Sequence, residues 1–451
     1  MIALKEIKHI YFIGVGGIGM SALARYFKAK GATVAGYDKT STVLTRTLEA
    51  EGIHIHYDDN MTMAPAAPDV VVYTPAIPAH HTEMNYYRNH GFTVVKRSDI
   101  LQWITANSFN ICVAGTHGKT TVSSMIAHVL RDTGYGCNAF LGGIAANYNS
   151  NFWSHENNVV VVEADEYDRS FLKLSPDIAI VTAMDPDHLD IYGTAEEVEK
   201  AFVQFSQKVK QGGCLITKYG LSKEKEFTVP DHCTYDLNNS LANIHVNNLV
   251  VENGSYRFDV VNNYWTITDV VLNMGGLHNI ENVLVAIGVA KYLKIDDAKI
   301  KSAVASFKGV KRRFEYALKT AEHTVIDDYA HHPEELNALI SGVRSLYPNT
   351  KLTLVFQPHL FSRTKDQATG FATSLAKVDE LILLPIYPAR ELPMEGITSE
   401  WLLAQVQMNN KQVMLKDDIV KYIDAHQPEL VVMAGAGDID TLVAPIAKLL
   451  S

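Results

Sequence analysis

The sequence predicts an α/β protein with three domains: a Rossmann-like N-terminal domain, a P-loop ATPase-like central domain with added antiparallel strands, and a Rossmann-like C-terminal domain. Its 451 residues suit about three domains of ordinary size. Apolar strand-like runs alternate with helical patterns, which is typical of parallel sheets with crossover helices. Two glycine-rich loops each follow a strand-like run and open a helix. We place the domains at residues 1–107, 108–312 and 313–451.

Apolar runs in each domain predict its strands. In the first domain they lie at 10–13, 33–36, 70–73 and 93–95, with a helix at 20–30. In the second they lie at 111–114, 159–162, 178–182 and 214–217. In the third they lie at 324–326, 352–356, 380–384 and 430–433. Between 232 and 273 short alternating runs are separated by turn residues, which predicts antiparallel hairpins.

Composition and charge narrow the classes of function. Hydrophobic residues make up 47% of the chain and charged residues 20%, which is typical of soluble globular proteins. The net charge of -10 argues against a protein that binds nucleic acid through a broad positive potential. No run approaches the ~18 apolar residues of a membrane-spanning helix. The four cysteines form neither a C-x-x-C pair nor a zinc pattern. We therefore expect a cytoplasmic protein with reduced cysteines and no membrane insertion.

The first glycine-rich loop is Gly14-Val15-Gly16-Gly17-Ile18-Gly19, which matches G-x-G-x-x-G between a strand and a helix. Asp38 ends the next strand, where dinucleotide-binding domains keep an acid for the ribose. Such a loop binds pyrophosphate through backbone N–H groups, so NAD and other nucleotide diphosphates both suit it. Because an NAD-dependent dehydrogenase has no obvious use for a second phosphate loop, we favour a UDP-linked substrate.

The second loop, Gly115-Thr116-His117-Gly118-Lys119-Thr120-Thr121, indicates a nucleotide triphosphatase site. Its backbone N–H groups and the N-terminus of the following helix suit phosphate oxygens. Lys119 supplies a positive charge for the β- and γ-phosphates, and Thr120 a hydroxyl for Mg²⁺. The loop is two residues shorter than G-x-x-x-x-G-K-[ST], and a chance match in a surface turn is the alternative.

Acidic residues follow the strand at 159–162, in the segment Glu163-Ala164-Asp165-Glu166-Tyr167-Asp168. Open α/β sheets bind ligands at the carboxyl ends of strands, and Mg²⁺ prefers carboxylate and phosphate oxygens. We predict Glu163 as a Mg²⁺ ligand, whereas Glu166 and Asp168 are better explained as a solvated acidic turn. His188 lies among acidic residues after the strand at 178–182, where a metal ligand and a polar loop residue are equally good interpretations.

Polar residues also lie at the boundary between the second and third domains and after two strands of the third domain. Arg312 and Arg313 form either a basic surface turn or a clamp for phosphate. Two further clusters end the strands at 324–326 and 352–356, and they indicate one shared binding face or ordinary loops. Their polar members are Asp327, Asp328, Tyr329, His331, His332, Gln357, His359, Arg363 and Lys365.

Together these segments resemble the Mur ligase family, ATP-dependent amide ligases of peptidoglycan precursor synthesis that share a three-domain architecture. The matching motifs run in family order over essentially the whole chain. The short phosphate loop fits as well, because G-T-x-G-K-T is the family's own form. The motifs lie at residues 14–21, 115–121, 163–166, 187–190, 278–282, 312–315, 327–333 and 356–359.

The resemblance implies roles for individual residues. The uridine nucleotide would be held by Gly14, Gly16, Gly17, Gly19, Met20, Ser21 and Asp38. ATP would be held by Gly115, Thr116, His117, Gly118, Lys119, Thr120, Thr121, Asn279, Asn282, Arg313 and Asp328. Mg²⁺, or Mn²⁺ in its place, would be bound by Thr120, Glu163 and His188, and the amino acid by Tyr329, His331, His359 and Arg363. The implied catalytic residues are Lys119, Glu163, His188 and Arg313.

The branch of the family that is most similar joins L-alanine to the lactyl carboxylate of UDP-N-acetylmuramate through an acyl phosphate, giving ADP and phosphate. The alternative is the murein peptide ligase branch, which adds a recycled tripeptide to the same nucleotide. The loop at 16–21 favours the alanine-adding branch.

Two positions depart from family patterns, and one role stays open. Some members have Arg where this chain has Leu360, so the alanine carboxylate depends more on Arg363. Other branches use a carbamylated lysine; the nearest lysine is Lys200, which we leave outside the site. His188, His331 and His359 are alternative bases for the alanine amine.

Overall fold

The computed structural model describes residues 4–186, 189–252, 254–389 and 391–451. Three β-sheets of five, ten and six strands organise these residues. The chain forms two compact units: Met1–Asn247, Val260–Thr268 and Glu281–Val304 make the first, and Asn248–Asp259, Asp269–Ile280 and Ala305–Ser451 the second. The predicted three-domain α/β fold is confirmed, with one sheet for each predicted domain. The boundaries after residues 107 and 312 remain predictions.

The first sheet is parallel throughout, in the order β3-β2-β1-β4-β5. The predicted strands are confirmed to within two residues, and the short β3 is an addition that its half-polar sequence did not indicate. A 3₁₀ turn at Leu4–Glu6 precedes the sheet. The elements are β1 His9–Ile13, α1 Ile18–Ala29, β2 Thr33–Tyr37, α2 Val43–Ala50, β3 His54–His56, β4 Val70–Tyr73, α3 Thr82–Asn89, β5 Val94–Lys96 and α4 Arg97–Ala106.

The second sheet has the order β15-β14-β13-β12-β11-β10-β6-β9-β7-β8. Its strands are β6 Phe109–Ala114, β7 Asn138–Ala145, β8 Ser150–Trp153, β9 Val159–Glu163, β10 Ile178–Val181, β11 Cys214–Lys218, β12 Asp231–Asp236, β13 Ile244–Glu252, β14 Ser255–Asn262 and β15 Trp265–Leu272. Its helices are α5 Lys119–Asp132, α6 Leu189–Tyr192, α7 Ala195–Ser206, α8 Leu277–Tyr292 and α9 Asp297–Ser306, with 3₁₀ turns at Tyr167–Lys173 and Glu224–Glu226.

The prediction of antiparallel strands from residue 232 onward was wrong for its first part. β12 pairs in parallel with β11, as does the start of β13 with β12. Alternating polarity marks a half-exposed strand but carries no direction, and the connection from β11 to β12 is long enough for a crossover. Only two residues separate β13 from β14 and β14 from β15, and each pair is adjacent in the sheet, so these connections are hairpins.

The third sheet has the order β16-β17-β21-β18-β19-β20, with only the edge strand β16 antiparallel to its neighbour. Its strands are β16 Glu315–Lys319, β17 Thr324–Asp328, β18 Leu352–Phe356, β19 Glu380–Leu383, β20 Lys411–Val413 and β21 Leu430–Ala434. Its helices are α10 Pro333–Leu346, α11 Phe361–Asp366, α12 Ala368–Leu375, α13 Ser399–Gln405, α14 Lys416–His426 and α15 Val443–Leu449, with a 3₁₀ turn at Asp438–Leu442.

Parallel pairing gathers three loops at one edge of the second sheet. β6 lies between β9 and β10 and is parallel to both. The runs of Val and Ile in these strands are almost wholly buried, which suits β-branched side chains packed on both faces of a sheet. The phosphate loop after β6, the acidic segment after β9 and Thr182 after β10 therefore lie side by side.

The cysteines agree with the sequence analysis. Cys112, Cys137 and Cys214 are buried and Cys233 is half-buried, and all four are unpaired. Burial raises the pKa of each thiol, to about 12 for Cys214 and about 11 for Cys233. Within the described part of the chain, no helix combines the length and apolar character that crossing a membrane requires.

A buried cluster of hydrogen-bonded side chains connects α1 to β8 within the first unit. Asn151, which is fully buried, donates its side-chain N–H groups to Ile18 O at 2.5 Å and to Ser21 Oγ at 3.0 Å. Its side-chain oxygen accepts from the guanidinium of Arg25, which also pairs with Glu51 at 2.8 Å. Every polar atom of Asn151 is thus used.

We expect Asn151→Ala to destabilise the first unit by about 2–3 kcal/mol, because it leaves Ser21 and Arg25 with buried polar groups that have lost a partner. Urea unfolding followed by tryptophan fluorescence would measure this change. An unfolding midpoint equal to that of the unaltered protein would show that the cluster contributes little to stability.

Candidate active site

Backbone geometry explains the glycines of the phosphate loop. Gly115 directly follows β6 with φ +137°, and Gly118 begins α5 with φ +80°, both in the region that favours glycine. A Cβ on Gly115 would lie 2.0 Å from Thr182 Oγ1, and one on Gly118 would lie 3.2 Å from Asn282 Oδ1. The loop is therefore packed directly against the end of β10 and against α8, with Asn282 beside Gly118.

The lysine of the loop is already held by two acceptors. Lys119 Nζ donates to Gly115 O at 2.7 Å and to Glu166 Oε1 at 2.8 Å. The Glu166 side chain is only 1% exposed, so the interpretation of Glu166 as part of a solvated turn was wrong. The same interpretation is confirmed for Asp168, whose side chain is 48% exposed. Local acidic composition does not distinguish the two, because burial depends on the neighbouring loop.

The predicted magnesium residues Thr120 and Glu163 lie together. Thr120 Oγ1 donates to both carboxylate oxygens of Glu163 at 3.0 Å, and Gly142 N donates to Glu163 Oε2 at 2.9 Å. A hydroxyl beside a carboxylate gives a set of oxygen donors, which fits a hard cation such as Mg²⁺. The third predicted ligand, His188, lies outside the described residues.

The rest of the phosphate loop is fixed by the segment that follows β10. Thr116 N donates to Ala183 O at 3.2 Å, and Asp185 N donates to Thr116 Oγ1 at 3.1 Å. His117 is exposed, with its Nε2 3.6 Å from Asp185 Oδ2. Thr121 is buried on the first turn of α5. Asp185 is thus an additional loop partner that the sequence analysis did not single out.

The N-terminal loop is arranged around Asp38. Gly14 N and Val15 N donate to Tyr37 O, and Gly16 N donates to Asp38 Oδ2 at 2.8 Å. A Cβ on Gly16 would lie 2.8 Å from that same carboxylate oxygen, so the close approach requires glycine. The structure therefore brings together the glycines and the acid that the sequence analysis paired.

One cavity of about 320 Å³ lies between this loop and the end of β9. Its lining includes Gly17, Gly19, Met20, Arg97, Glu163 and Asp165. Ser21 is one residue further along α1 but is fully buried, where it donates to Ile18 O at 2.8 Å. The first glycine-rich loop and Glu163 thus line the same cavity.

In the second unit, Asp328 and the two arginines occupy different environments. Asp328 accepts hydrogen bonds from Phe314 N at 2.7 Å and Ala330 N at 2.8 Å, while burial raises its pKa to about 6. Arg313 is exposed at the surface of this unit. Arg312 instead is structural: its guanidinium donates to Gly435 O and lies 4.9 Å from the centre of the Tyr329 ring.

The four residues predicted for the amino acid form one cluster. The rings of Tyr329 and His331 are 5.2 Å apart, those of His331 and His359 are 6.1 Å apart, and Arg363 Nη1 lies 3.4 Å from His359 Nδ1. Burial and the charge of Arg363 lower the pKa of His359, so this histidine is neutral at neutral pH. The two polar clusters of the third sheet therefore share one face.

The second predicted asparagine, Asn279, also belongs to this unit. Its side chain is buried and donates to Gly275 O at 2.6 Å. Leu360 begins α11 with φ +69°, which is strained for a branched side chain, and its N–H donates to Tyr387 O at 2.9 Å. That bond fixes the turn between His359 and Arg363.

The protein has a glycine-rich P-loop with an adjacent hydroxyl–carboxylate pair, and the carboxylate of that pair shares a cavity with a second glycine-rich loop. This combination is typical of a nucleotide-dependent enzyme. Three family models match the chain: "Mur ligase family, catalytic domain" over residues 9–109, "Mur ligase middle domain" over 113–290, and "Mur ligase, glutamate ligase domain" over 312–437. The chain belongs to the Mur ligase family, as the sequence motifs predicted.

Several relatives are similar over their full length. The chain is 47% identical to a UDP-N-acetylmuramate--L-alanine ligase of Flavobacterium johnsoniae, covering 99% of both chains. It is 48% identical to the ligase of that name from Christiangramia forsetii, covering 99% of this chain and 98% of the relative. Among solved structures, a UDP-N-acetylmuramate-alanine ligase of Thermotoga maritima matches with a TM-score of 0.82 at 27% identity, covering 98% of each chain.

The sequence analysis missed Gly142, which lies on β7 opposite the end of β9. A Cβ on Gly142 would lie 2.1 Å from Glu163 Oε2. The N–H of Gly142 is one of the donors that orient this carboxylate. The pair Gly142-Gly143 inside an otherwise apolar strand was the available signal, because glycine in a strand marks a close approach.

We expect Gly142→Ala to displace the Glu163 carboxylate and to raise the Mg²⁺ concentration for half-maximal ATP turnover about tenfold, a loss of roughly 1.4 kcal/mol. Gly288→Ala in α8 is the control, since the atoms nearest to a Cβ there belong to Ile244 and Ile216 and not to Glu163. Equal Mg²⁺ dependence of the two variants would contradict a role for Gly142 in orienting Glu163.

Asp327 gives the second unit a pH-dependent stability. It is buried beside Arg312 Nε at 3.7 Å, and burial raises its pKa to about 7. The folded state therefore binds this proton more tightly than the unfolded state, so the contribution to stability is present at low pH. It is lost as pH rises from the ordinary carboxyl range through about 7.

The free energy of unfolding should fall between pH 5 and pH 8, and we expect Asp327→Asn to reduce that fall by up to about 3 kcal/mol. Urea unfolding at both pH values would measure it, with Asp440→Asn as a control at a more exposed acid near the same arginine. A wild-type pH dependence in Asp327→Asn would assign the effect to other groups.

Proposed function

We propose that this protein joins L-alanine to the lactyl carboxylate of UDP-N-acetylmuramate, using ATP and releasing ADP and phosphate. The observation that carries the proposal is identity of 47–48% to ligases named for this reaction, over 98–99% of both chains. The cavity that joins the first glycine-rich loop to Glu163 supports it, because a nucleotide-linked carboxylate and a triphosphate must meet in one space.

The N-terminal loop is proposed to hold the uridine nucleotide. Backbone N–H groups of Gly14 to Gly19 suit the pyrophosphate, and Asp38, already oriented by Gly16 N, suits a ribose hydroxyl. Met20 lines the same cavity. Ser21 supports this loop from inside, since its hydroxyl is bonded to α1 and to Asn151.

ATP is proposed to bind the loop at 115–121, with Asn282 beside Gly118. Asn279, Asp328 and Arg313 are proposed as further ATP-binding residues on the family resemblance. Mg²⁺, or Mn²⁺, would be held by Thr120, Glu163 and His188, and when bound it neutralises charge on the phosphates. The pairing of Thr120 with Glu163 supports the first two of these ligands.

The first chemical step is proposed to be transfer of the γ-phosphoryl group to the lactyl carboxylate. An oxygen of that carboxylate forms the new P–O bond as the bond to ADP breaks, which gives an acyl phosphate and ADP. Two anions must approach for this, so the chain's role is to neutralise charge. Lys119 and Arg313 are the cations assigned to that role, and the loop N–H groups add to it.

In the second step the alanine amine attacks the acyl carbon, phosphate leaves, and a base accepts the proton of the amine. Tyr329, His331, His359 and Arg363 are proposed to hold the alanine, with Arg363 paired to its carboxylate. His188, His331 and His359 are proposed as alternative bases for this proton. We propose that the reaction takes place in the cytoplasm of a bacterium, where ATP is available.

The runner-up function is addition of a recycled tripeptide to the same nucleotide. A murein peptide ligase of Psychrobacter arcticus matches with a TM-score of 0.65 at 21% identity, which is a likeness of fold alone. The alanine ligases of Flavobacterium johnsoniae and Christiangramia forsetii match at more than twice that identity, so the tripeptide reaction is not favoured.

Phosphate release from MgATP and UDP-N-acetylmuramate tests the proposal, with no acceptor, L-alanine, or L-Ala-γ-D-Glu-diaminopimelate added. We expect release only with L-alanine, together with a product of the mass of the amide. Lys119→Met should lower the rate at least a hundredfold, since it removes a cation from the transferring phosphoryl group. Release with the tripeptide alone would transfer the assignment to the recycling reaction, and release with neither would remove the ligase assignment.

A further inference from the structure

Glu166 occupies a position that the proposed reaction does not require. It is nearly inaccessible, with 1% of its side chain exposed, yet it lies against the phosphate loop with Oε1 2.8 Å from Lys119 Nζ. Its backbone is fixed there, because its carbonyl accepts from Tyr192 OH at 2.6 Å and from Arg169 N at 3.0 Å. The carboxylate is thus a built part of the loop's surroundings.

The ion pair of Glu166 and Lys119 does not use all the hydrogen-bonding atoms of Glu166. Glu166 Oε2 is buried without a hydrogen-bond partner among the residues that the structure describes. Lys119 has three N–H donors, of which Glu166 and Gly115 O take two. The lysine, which is 15% exposed, is therefore largely neutralised before any phosphate arrives. A phosphate must share the ammonium with Glu166 or displace it.

We propose that Glu166 is a positioning residue that holds the Lys119 ammonium at the phosphate loop and thereby lowers the affinity of the protein for ATP. The proposal rests on the assignment of this loop to ATP. Its physical basis is competition: a charge-assisted hydrogen bond to a buried carboxylate must be weakened before the same ammonium binds the β- and γ-phosphates fully. ATP alone therefore binds weakly. The charges at the site are balanced only when the substrate carboxylate and the cation are bound as well.

The test is ATP binding, measured by titration calorimetry with Mg²⁺ and without UDP-N-acetylmuramate, so that no turnover occurs. We expect Glu166→Gln to lower the Kd of ATP about tenfold, because the amide keeps the shape but removes the competing charge. Glu166→Asp, one methylene shorter, should lower the Kd of ATP about threefold, because the distance between the carboxylate and the ammonium becomes longer. The Kd of AMP, which lacks the phosphates that Lys119 serves, should not change in either variant.

Three controls separate this effect from a structural one. Glu196→Gln removes the same charge from an exposed residue of α7 and should leave the Kd of ATP unchanged. Thermal unfolding without nucleotide shows whether each variant is folded. In a Lys119→Met background, Glu166→Gln should no longer change the Kd, because the competition acts through that lysine.

The proposal is overturned if ATP binds both folded Glu166 variants with unchanged or weaker affinity, or if AMP binding changes in parallel. Glu166→Asp decides the matter if Glu166→Gln does not fold. Failure of the unaltered protein to bind ATP would instead remove the proposed function, and with it this inference. Normal ATP binding with no response to Glu166 would overturn the inference alone.

Discussion

Parallel pairing of β6 with β9 and β10 is the constraint on which the site depends. These strands come from separate parts of the chain, and their registers bring Ala114, Glu163 and Val181 to one edge of the sheet. Because the strands are buried on both faces, a slip of register would cost much of the core. The loops that follow them are therefore fixed to within the reach of hydrogen bonds, without help from a ligand.

Pairs between charged and polar side chains then arrange these loops. Both carboxylates at the end of β9 already have partners in the phosphate loop, Glu163 with Thr120 and Glu166 with Lys119. Close approaches by glycine permit this, at Gly115 against Thr182 and at Gly142 against Glu163. The site is thus preorganised by internal pairs, which a polyphosphate and its cation would exchange for stronger ones. The second unit has its own preorganised cluster, in which His359 is kept neutral beside Arg363.

Much of this arrangement could be predicted from the sequence, because its signals are local. Apolar runs located the main strands, and the glycine loops located two phosphate-binding turns. The direction of β12 could not be predicted, since strand pairing depends on the length and course of a connection and not on side-chain alternation. Likewise Glu166 and Asp168 have the same local composition, and only the packed structure buries one and exposes the other.

Gly142 and Asp327 are two further residues whose surroundings could not be predicted from the sequence. Gly142 matters because β7 pairs with β9, a contact between segments that no local pattern relates. Asp327 has a raised pKa because the packed third sheet buries it, and no local pattern in the sequence predicts that burial. Family motifs identified the residue types, whereas the burial and partners of each residue follow from the three sheets.

The most direct measurement uses UDP-N-acetylmuramate labelled with ¹⁸O in both oxygens of the lactyl carboxylate. After reaction with ATP and L-alanine, the released phosphate and the amide product are analysed by mass spectrometry. Transfer through an acyl phosphate predicts one ¹⁸O atom in each phosphate and one in each amide carbonyl, because the carboxylate oxygen that bonds to phosphorus leaves with it. Unlabelled phosphate from a reaction that has formed the amide would contradict phosphoryl transfer to this carboxylate.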